Sequence, residues 1–274
     1  MIEELAKNLV NLKKEFAKVY DGKSHIQEVI PVSKSDMFPI KQEDLKLLHQ
    51  FASKNPIYYN SYEKTVGNTS CIVYEGDINK YWLNSIQHDS SFQPFYPTWI
   101  MSAYVMALIA KKLGYKELVD IGSGDGRIAF CGKILGLVSH SIEIDHMLVN
   151  LQKLLTILEF HPYCSDAATF DYSSLNLIRP IFFIGGIAQM GGTKLASGVL
   201  EKIDSITNLK KNAGWVFAGT TSKKYLPDPK NMAGWGTLIE KNHLIFIQTI
   251  SLPTIWTFHE SEETPYIFTK TVSD

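Results

Sequence analysis

The sequence is poor in the residues that mark several functional classes. Its three cysteines, Cys71, Cys131 and Cys164, are widely spaced and form no C-x-x-C pair. They indicate neither a metal-binding thiolate set nor a disulfide framework, and we interpret them as free, mostly buried thiols in a reducing cytoplasm. The eight histidines contain no H-x-x-x-H or similar pair, so we predict no metal site.

Long hydrophobic runs and an excess of one charge are also missing. The longest apolar run, Trp99 to Ala110, includes Ser102 and is shorter than the ~18 residues that span a bilayer. It predicts a buried helix, and residues 1–5 lack the pattern of a signal peptide. With 27 Lys and Arg against 28 Asp and Glu, the net charge of −1 indicates no general attraction to nucleic acid or anionic lipid. We therefore predict a cytoplasmic protein that does not act at a membrane.

The segment 117–135 predicts a strand, a glycine loop and a helix in immediate succession. The loop, residues 122–127, reads Gly-Ser-Gly-Asp-Gly-Arg. Glycine permits a tight turn and lets backbone N–H groups approach a ligand at the positive end of a helix. A second predicted strand, residues 137–145, places Glu143 ~20 residues beyond the loop, where a carboxylate can accept hydrogen bonds from both ribose hydroxyls. The pattern predicts a nucleoside cofactor.

The spacing of the glycines separates one type of cofactor from another. The dinucleotide fingerprint is G-x-G-x-x-G, whereas this loop is G-x-G-x-G with Arg127 at the last position, which disfavours NAD. A phosphate-binding P-loop is absent as well. The alternative is a tight turn that binds nothing. Asp125 predicts a cap for the following helix, and Arg127 predicts either a specific partner or a solvated position.

Two segments carry a resemblance to a known family. Residues 119–127, Val-Asp-Ile-Gly-Ser-Gly-Asp-Gly-Arg, and residues 142–145, Ile-Glu-Ile-Asp, resemble the first two motifs of the class I, seven-stranded S-adenosylmethionine (SAM) methyltransferases. The resemblance extends over residues 94–215 and implies SAM as cofactor. The implied contacts are Asp120, Gly122, Ser123 and Gly124 for the methionine end, Glu143 for the ribose, and Asp166 with Ala167 for the adenine.

Two further segments border the implied cofactor pocket. In the family, a segment such as Phe-Tyr-Pro-Thr at residues 95–98 commonly lies beside SAM, so Tyr96 and Thr98 are candidate contacts. The structural alternative is that Pro97 bends the chain and Thr98 caps the next helix. The fourth predicted strand runs into Gly185, which predicts either a backbone donor to the cofactor or simply room for a tight turn.

Predicted strands and helices alternate from residue 117 onward. Strands at 117–121, 137–145, 162–165, 178–184 and 215–218, with helices between them, predict a mostly parallel Rossmann-like α/β sheet covered on both faces. Gly198 predicts an interruption of the helix after the fourth strand. Only a loop is predicted between residues 218 and 238. The tail predicts antiparallel strands, including the hairpin that ends the methyltransferase sheet, at residues 238–250, 254–259 and 266–271.

Residues 1–92 predict an N-terminal appendage to a methyltransferase domain of residues 93–274. Apolar residues at a 3-4 spacing predict an amphipathic helix at residues 2–20 that packs on the body of the protein rather than on a second copy. A second helix is predicted at residues 42–52. The stretch 55–93 is aromatic and predicts irregular structure around one strand at residues 71–74.

The end of the fourth strand bears on the methyl acceptor, because ligands bind at the carboxyl ends of strands in open α/β sheets. Residues 183–192 lack the Asp/Asn-Pro-Pro-Tyr/Phe that accompanies methylation of nucleobase amino groups and glutamine amides. Instead, the Tyr-Pro-Thr segment and both motifs resemble archaeal and mitochondrial protein-lysine methyltransferases. This implies a protein lysine as acceptor. RNA, a small molecule, or a non-catalytic protein with a SAM-binding fold are the alternatives.

Methyl transfer depends mainly on alignment of the two reactants, so no strong base is expected in the sequence. A lysine amine has only to lose its proton. Aromatic rings suit a lysine channel through cation–π contact, and core packing is the alternative role for each of them. The candidates are Tyr81, Trp82, Tyr96 and Trp235.

Overall fold

The N-terminal part of the chain forms a small antiparallel sheet with helices. The computed structural model describes residues 1–84, 95–155, 161–221, 230–254 and 263–272. The first elements are α1 (Ile2–Val19), β1 (Ile26–Pro31), α2 (Gln42–Lys54), β2 (Tyr58–Val66), β3 (Thr69–Gly76) and α3 (Asn79–Trp82). β3 lies between β1 and β2 and pairs antiparallel with both. The two predicted helices, at residues 2–20 and 42–52, are confirmed.

The prediction of irregular structure is wrong for residues 58–76, whereas the strand predicted at residues 71–74 is confirmed as part of β3. β2 and β3 form a hairpin across Gly67-Asn68, and Gly67 has a φ of +55°, which suits a two-residue hairpin turn. β1 was not expected either, because all six of its residues are buried and its sequence, Ile-Gln-Glu-Val-Ile-Pro, shows no clear alternation. Two of the three strands of the small sheet therefore lie in the region that the sequence predicts to be irregular.

The rest of the chain builds a seven-stranded sheet with helices on both faces. Its strands are β4 (Glu117–Ile121), β5 (Val138–Glu143), β6 (His161–Cys164), β7 (Pro180–Ile184), β8 (Gly214–Ala218), β9 (Ile245–Pro253) and β10 (Glu263–Lys270). The strand order is β6-β5-β4-β7-β8-β10-β9. The first five strands are parallel, and β10 runs antiparallel to β8 and β9. The predicted mostly parallel, Rossmann-like sheet with its antiparallel C-terminal hairpin is confirmed.

The helices of this part are α4 (Ile100–Lys112), α5 (Arg127–Ile134), α6 (His146–Leu154), α7 (Gly192–Asp204), α8 (Thr207–Asn212) and α9 (Gly236–Lys241). The apolar run of residues 99–110 forms α4, as predicted, and this helix is buried along most of its length. Within the described ranges, no helix combines the length and the apolar character that a membrane crossing requires.

Two predictions about the helices of the C-terminal half are wrong. α7 continues through Gly198, where a Cβ would lie 2.7 Å from the Cβ of Ala168, so this glycine allows close packing rather than ending the helix. α9 occupies residues predicted as loop and strand. α9 is short and begins at a glycine, a residue with low helix propensity. Trp235, its N-cap residue, stacks on Phe217 with the ring centroids 4.7 Å apart and so anchors the helix. Most of the strand predicted at 254–259 lies outside the described residues.

One hydrophobic core joins the small sheet to the large one. A single buried cluster contains Leu9 of α1, Leu48 of α2, Val105 of α4 and Phe268 of β10. A second cluster covers the other face of the large sheet beneath α7 and α9. The predicted boundary at residue 92 falls outside the described residues and stays a prediction.

The variant Leu9→Ala tests the packing of α1 on this core. Leu9 is fully buried, so truncation leaves a cavity and is expected to lower the free energy of unfolding by about 2–5 kcal/mol. Asn11→Ala, on the exposed face of the same helix, is expected to change it by less than about 0.5 kcal/mol. Urea unfolding followed by circular dichroism measures both values. Equal stability of the two variants would contradict this packing.

Candidate cofactor-binding site

The ends of three neighbouring strands bring the predicted site residues to one edge of the large sheet. β4 pairs with β5 and β7 in parallel, and Ile121 lies opposite both Ile142 and Ile184. The glycine loop, residues 122–127, therefore leaves the sheet between the ends of β5 and β7. Parallel strands of an open α/β sheet bind ligands at this edge.

The glycine loop has a backbone conformation that other residues rarely adopt. Gly122, Gly124 and Gly126 have φ values of +66°, +58° and +78°. The carbonyl oxygen of Ile142 accepts hydrogen bonds from the N–H groups of Gly122 at 2.9 Å and Ser123 at 3.3 Å. The loop is thus fixed to the end of β5.

Glu143 adds a side-chain contact between β5 and the loop. Its Oε2 accepts a hydrogen bond from the N–H of Gly124 at 2.8 Å, and its Oε1 accepts one from the N–H of Asp145 at 2.9 Å. Burial raises the pKa of the Glu143 carboxyl, while these N–H groups oppose that rise. A carboxylate has about four acceptor sites, so the two oxygens can accept further hydrogen bonds from a ligand.

Asp120 lies buried at the same edge and has one weak hydrogen-bond partner among the residues that the structure describes. Its Oδ2 accepts a hydrogen bond from the N–H of Ala129 at 3.4 Å. Burial, together with the nearby charges of Glu143 and Asp125, raises the pKa of the Asp120 carboxyl well above its usual range. In the described part of the chain, neither Asp120 nor Glu143 forms an ion pair with a lysine or arginine. A cationic ligand group would compensate these two carboxyl groups.

The side chain of Ser123 is turned into the protein. Its Oγ lies 2.6 Å from the Oγ of Ser141 and accepts a hydrogen bond from the Nε2 of Gln152 at 2.9 Å. Gln152 Nε2 also donates to the carbonyl oxygen of Gly124 at 2.7 Å. Ser141 and Gln152 were not predicted as site residues. One signal was available in the sequence: Gln152 lies among the apolar positions of α6, and a buried polar side chain needs a hydrogen-bond partner.

Asp166 and Ala167 follow β6, next to the end of β5. The N–H of Ser165 donates to the carbonyl oxygen of Glu143 at 2.9 Å, so the two strand ends lie side by side. Asp166 is half-buried, and its Oδ1 accepts a hydrogen bond from the N–H of Ala168 at 2.9 Å. Ala167 is buried. The structure thus brings the implied ribose and adenine residues together.

Gly185 lies on the opposite side of the loop, at the end of β7. Its N–H donates to the carbonyl oxygen of Ile121 at 2.8 Å. A Cβ at this position would lie 2.7 Å from that oxygen and 2.9 Å from the carbonyl oxygen of Gly122. Glycine is therefore required here for the close approach of two backbones, which supports the alternative of room for a turn. Its contact with a cofactor stays a prediction.

The segment 95–98 runs beside the loop, but the predicted cap of α4 by Thr98 is wrong. The N-cap is Trp99, and the N–H of Ile100 donates to Glu28 Oε2 at 3.0 Å. The Thr98 side chain instead forms a hydrogen bond with the Tyr266 hydroxyl. Thr98 is half-buried. A carboxylate from β1 therefore takes the place of the expected local cap.

Tyr96 and its neighbour Phe95 pack near the loop. Tyr96 is half-buried against the main core, and the Phe95 ring covers Gly124 so closely that a Cβ there would lie 2.6 Å from a ring carbon. Tyr81 contacts this ring edge to face, with the centroids 6.0 Å apart. Burial raises the pKa of Tyr81, and the nearby charge of Asp125 adds to the effect. Tyr81 therefore lies close to the glycine loop.

Arg127 is fully buried at the start of α5, so the solvated alternative is wrong. Its guanidinium donates to Asp125 through Nε at 2.9 Å and through Nη2 at 2.6 Å. It also donates to Glu28 and to the carbonyl oxygen of Thr98. Burial alone would lower the pKa of Arg127, but the surrounding acidic groups outweigh it and raise the pKa further, so the side chain is charged.

Asp125 forms an ion pair with Arg127 and does not cap α5, so the predicted helix cap is wrong. The N-cap of α5 is Gly126, and the Asp125 carboxylate has only a long contact, 3.4 Å, with the N–H of Arg127. Its Oδ2 accepts a second hydrogen bond from Asn55 Nδ2 at 2.8 Å. No pattern in the sequence indicates this pairing, because Asn55 lies 70 positions away.

The variant Arg127→Met tests how strongly this buried cation stabilises the protein. Its removal leaves Glu28 and Asp125 buried without a counter-charge, and we expect a loss of about 3–5 kcal/mol in the free energy of unfolding. Arg179→Met is the matched control, because this second arginine is exposed and is expected to cost less than about 1 kcal/mol. Urea unfolding measures both variants. A loss of similar size in the two would argue against a special role for Arg127.

Comparisons with known proteins give similarities of fold. No protein-family model matches the sequence, and no curated protein does. A proposed RNA methyltransferase from Pyrococcus horikoshii is 14% identical, with a TM-score of 0.45 over 69% of this chain and 92% of that one. The magnesium protoporphyrin IX methyltransferase of Synechocystis PCC 6803 with bound SAH is 14% identical, with a TM-score of 0.42 over 62% and 80%. A TehB-like SAM-dependent methyltransferase from Corynebacterium glutamicum is 15% identical, with a TM-score of 0.41 over 62% and 87%.

Proposed function

We propose that the chain is a SAM-dependent methyltransferase whose acceptor is a lysine side chain of a protein. The observation that carries the proposal is the acidic edge of the large sheet. Asp120 and Glu143 lie buried beneath a loop of three glycines, and neither has a cationic partner among the described residues. SAM is a nucleoside that carries a sulfonium and an ammonium group, so it matches both the charge and the ribose-binding position.

We assign each part of the cofactor to different residues of this edge. Glu143 would accept hydrogen bonds from the ribose hydroxyls, as its place at the end of β5 suggests. The glycine loop and Asp120 would hold the methionine end, and Asp166 with Ala167 would face the adenine. Tyr96, Thr98 and Gly185 would border the same pocket. When bound, SAM supplies a methyl group on a positively charged sulfur.

The contribution of the protein to such a reaction is alignment and exclusion of water. A methyl group moves by in-line displacement, and holding the two reactants in the right geometry supplies most of the acceleration. A neutral amine is already a nucleophile, so the protein needs no paired acid and base. In this proposal, the buried carboxyl groups of the edge therefore bind the cationic cofactor and transfer no proton.

The aromatic residues near the loop support a lysine as acceptor. Tyr81 contacts the ring of Phe95, which covers Gly124, and the face of an aromatic ring attracts a lysine ammonium. Trp235 is fully buried beneath α9 and donates its Nε1–H to the carbonyl oxygen of Ala218 at 2.8 Å, so it serves core packing. The side chain of Trp82 lies outside the described residues.

The free cysteines fit a protein of the reducing cytoplasm, which we include in the proposal. Cys71 and Cys131 are buried, Cys164 is exposed, and all three are unpaired. Disulfides are rare in that compartment.

The variant Glu143→Gln tests the ribose position. Loss of the charge is expected to weaken SAM binding by about 10- to 100-fold, because a hydrogen bond to a charged group contributes roughly 1.5–3 kcal/mol. The matched control is Glu117→Gln. Glu117 also accepts two backbone N–H groups, from Ile178 and Arg179, but at the opposite end of β4. Isothermal titration with SAM measures both, and unchanged affinity of Glu143→Gln would refute the assignment.

The identity of the acceptor requires a transfer experiment. The protein and its Glu143→Gln variant are incubated with methyl-labelled SAM and a cell extract, which is then treated with protease or, separately, with RNase. We expect the label to be lost to protease and to appear on lysine after hydrolysis. Loss to RNase would replace the lysine proposal with an RNA acceptor, and label that survives both would indicate a small molecule. SAM binding without any transfer would leave a non-catalytic binding protein.

A further inference from the structure

We infer that the small N-terminal sheet is a working part of the cofactor site. Glu28 and Asn55 act as positioning residues that hold the glycine loop in its binding conformation, through Arg127 and Asp125. The inference rests on the proposed function in one respect, that the ligand of the loop is SAM.

The Arg127 side chain holds the glycine loop, and it also contacts the N-terminal sheet. Asp125 lies between Gly124 and Gly126, and Arg127 directly follows Gly126. The Arg127 guanidinium grips the Asp125 carboxylate with two parallel hydrogen bonds, at 2.9 and 2.6 Å. Such a bidentate pair fixes direction as well as distance. The positions of Gly124 and Gly126 therefore depend on where this guanidinium lies.

The position of the guanidinium is set by the N-terminal sheet. Glu28 of β1 pairs with Arg127, and the Tyr58 hydroxyl of β2 accepts a hydrogen bond from Arg127 Nη2 at 3.2 Å. Tyr58 in turn donates to Glu28 Oε1 at 3.0 Å. Because Asn55 donates to Asp125 at 2.8 Å, the N-terminal region also holds the loop carboxylate directly.

Glu28 contacts α4 as well as Arg127. Its Oε2 accepts a hydrogen bond from the N–H of Ile100, the first residue of α4. The indole of Trp99, one residue earlier, donates to the carbonyl oxygen of Gln27 at 2.8 Å. The segment 95–98, which carries Tyr96 and Thr98, therefore enters α4 at a point fixed by β1. Both borders of the implied pocket, the glycine loop and this segment, share one anchor.

Stability alone does not require this arrangement. The four residues Glu28, Asn55, Asp125 and Arg127 are each at most 2% exposed. Burying charges carries a desolvation cost that a well-packed apolar cluster avoids, so buried ion pairs often add little to stability. What they add is a fixed geometry, since each partner accepts only a narrow range of directions. In this chain, the geometry that they fix is that of the glycine loop.

The chain offers a matched pair of variants for the test. Asn55→Ala removes a 2.8 Å hydrogen bond from an asparagine of the N-terminal region to the loop carboxylate Asp125. Asn60→Ala removes a 2.8 Å hydrogen bond from an asparagine of the same region to Glu75, within the small sheet. We expect Asn55→Ala to weaken SAM binding by about three- to tenfold and Asn60→Ala to change it by less than about twofold.

Two readouts separate positioning from folding. Isothermal titration gives the SAM affinity of the folded variants, and amide hydrogen exchange of residues 122–127 reports the order of the loop without any ligand. We expect faster exchange in these residues for Asn55→Ala only, since their amides are held within the loop conformation that Asp125 helps to fix. A variant that melts earlier but binds SAM normally and keeps its loop protected would overturn the inference.

A second pair of variants, Glu28→Gln and Glu75→Gln, tests the inference if Asn55→Ala fails to fold. Glu28→Gln keeps an acceptor for Ile100 but weakens the hold on Arg127, whereas Glu75→Gln changes a carboxylate on the opposite face of the same sheet. The same two readouts are expected to respond to Glu28→Gln and not to Glu75→Gln. If the wild type binds no SAM, the proposed function fails, and the exchange of residues 122–127 still decides the inference. If the wild type binds SAM and both pairs behave alike, the inference alone fails.

Discussion

The buried contact of Arg127 with Asp125 and Glu28 is the interaction on which the rest of the site depends. It joins the start of α5, the start of α4 and the small N-terminal sheet within a few ångströms. A guanidinium cannot lose its proton inside a protein, so it has to keep its carboxylate partners wherever the chain buries it. This constraint orients the glycine loop and connects the small N-terminal sheet to the start of α5.

The same region separates two kinds of acidic residue by their surroundings. Asp125 and Glu28 face a cation supplied by the chain, and they serve the architecture. Asp120 and Glu143 lie buried near the carboxyl ends of β4 and β5, where burial raises the pKa of each carboxyl. Carboxyl groups left in that condition are ready to be compensated by a positively charged ligand. Asp120 and Asp125, five positions apart, thus have different surroundings: Asp125 faces a cation of the chain, and Asp120 has none among the described residues.

The local parts of this design could be predicted from the sequence, and the long-range parts could not. The strand, loop and helix around Gly122, Gly124 and Gly126 follow from spacing alone, and so does the place of Glu143 after the next strand. The partners of Arg127 do not, because Glu28 lies 99 positions away and shows no pattern of its own. β1 was not predicted because it is buried throughout, and α9 because Trp235, rather than helix propensity, stabilises it.

Contacts between distant parts of the chain also affect how such a protein folds. α1 packs against β9, and Lys14 pairs with Glu263 across 249 positions of sequence. During synthesis, α1 can pack on β2 and α4 first, but the part of its apolar face that contacts β9 stays uncovered until residues 245–253 have left the ribosome. Contacts of such long range slow folding and leave apolar surface open to aggregation in the meantime. We therefore expect fragments that lack β9 to expose part of the apolar face of α1 and to be obtained in low yield.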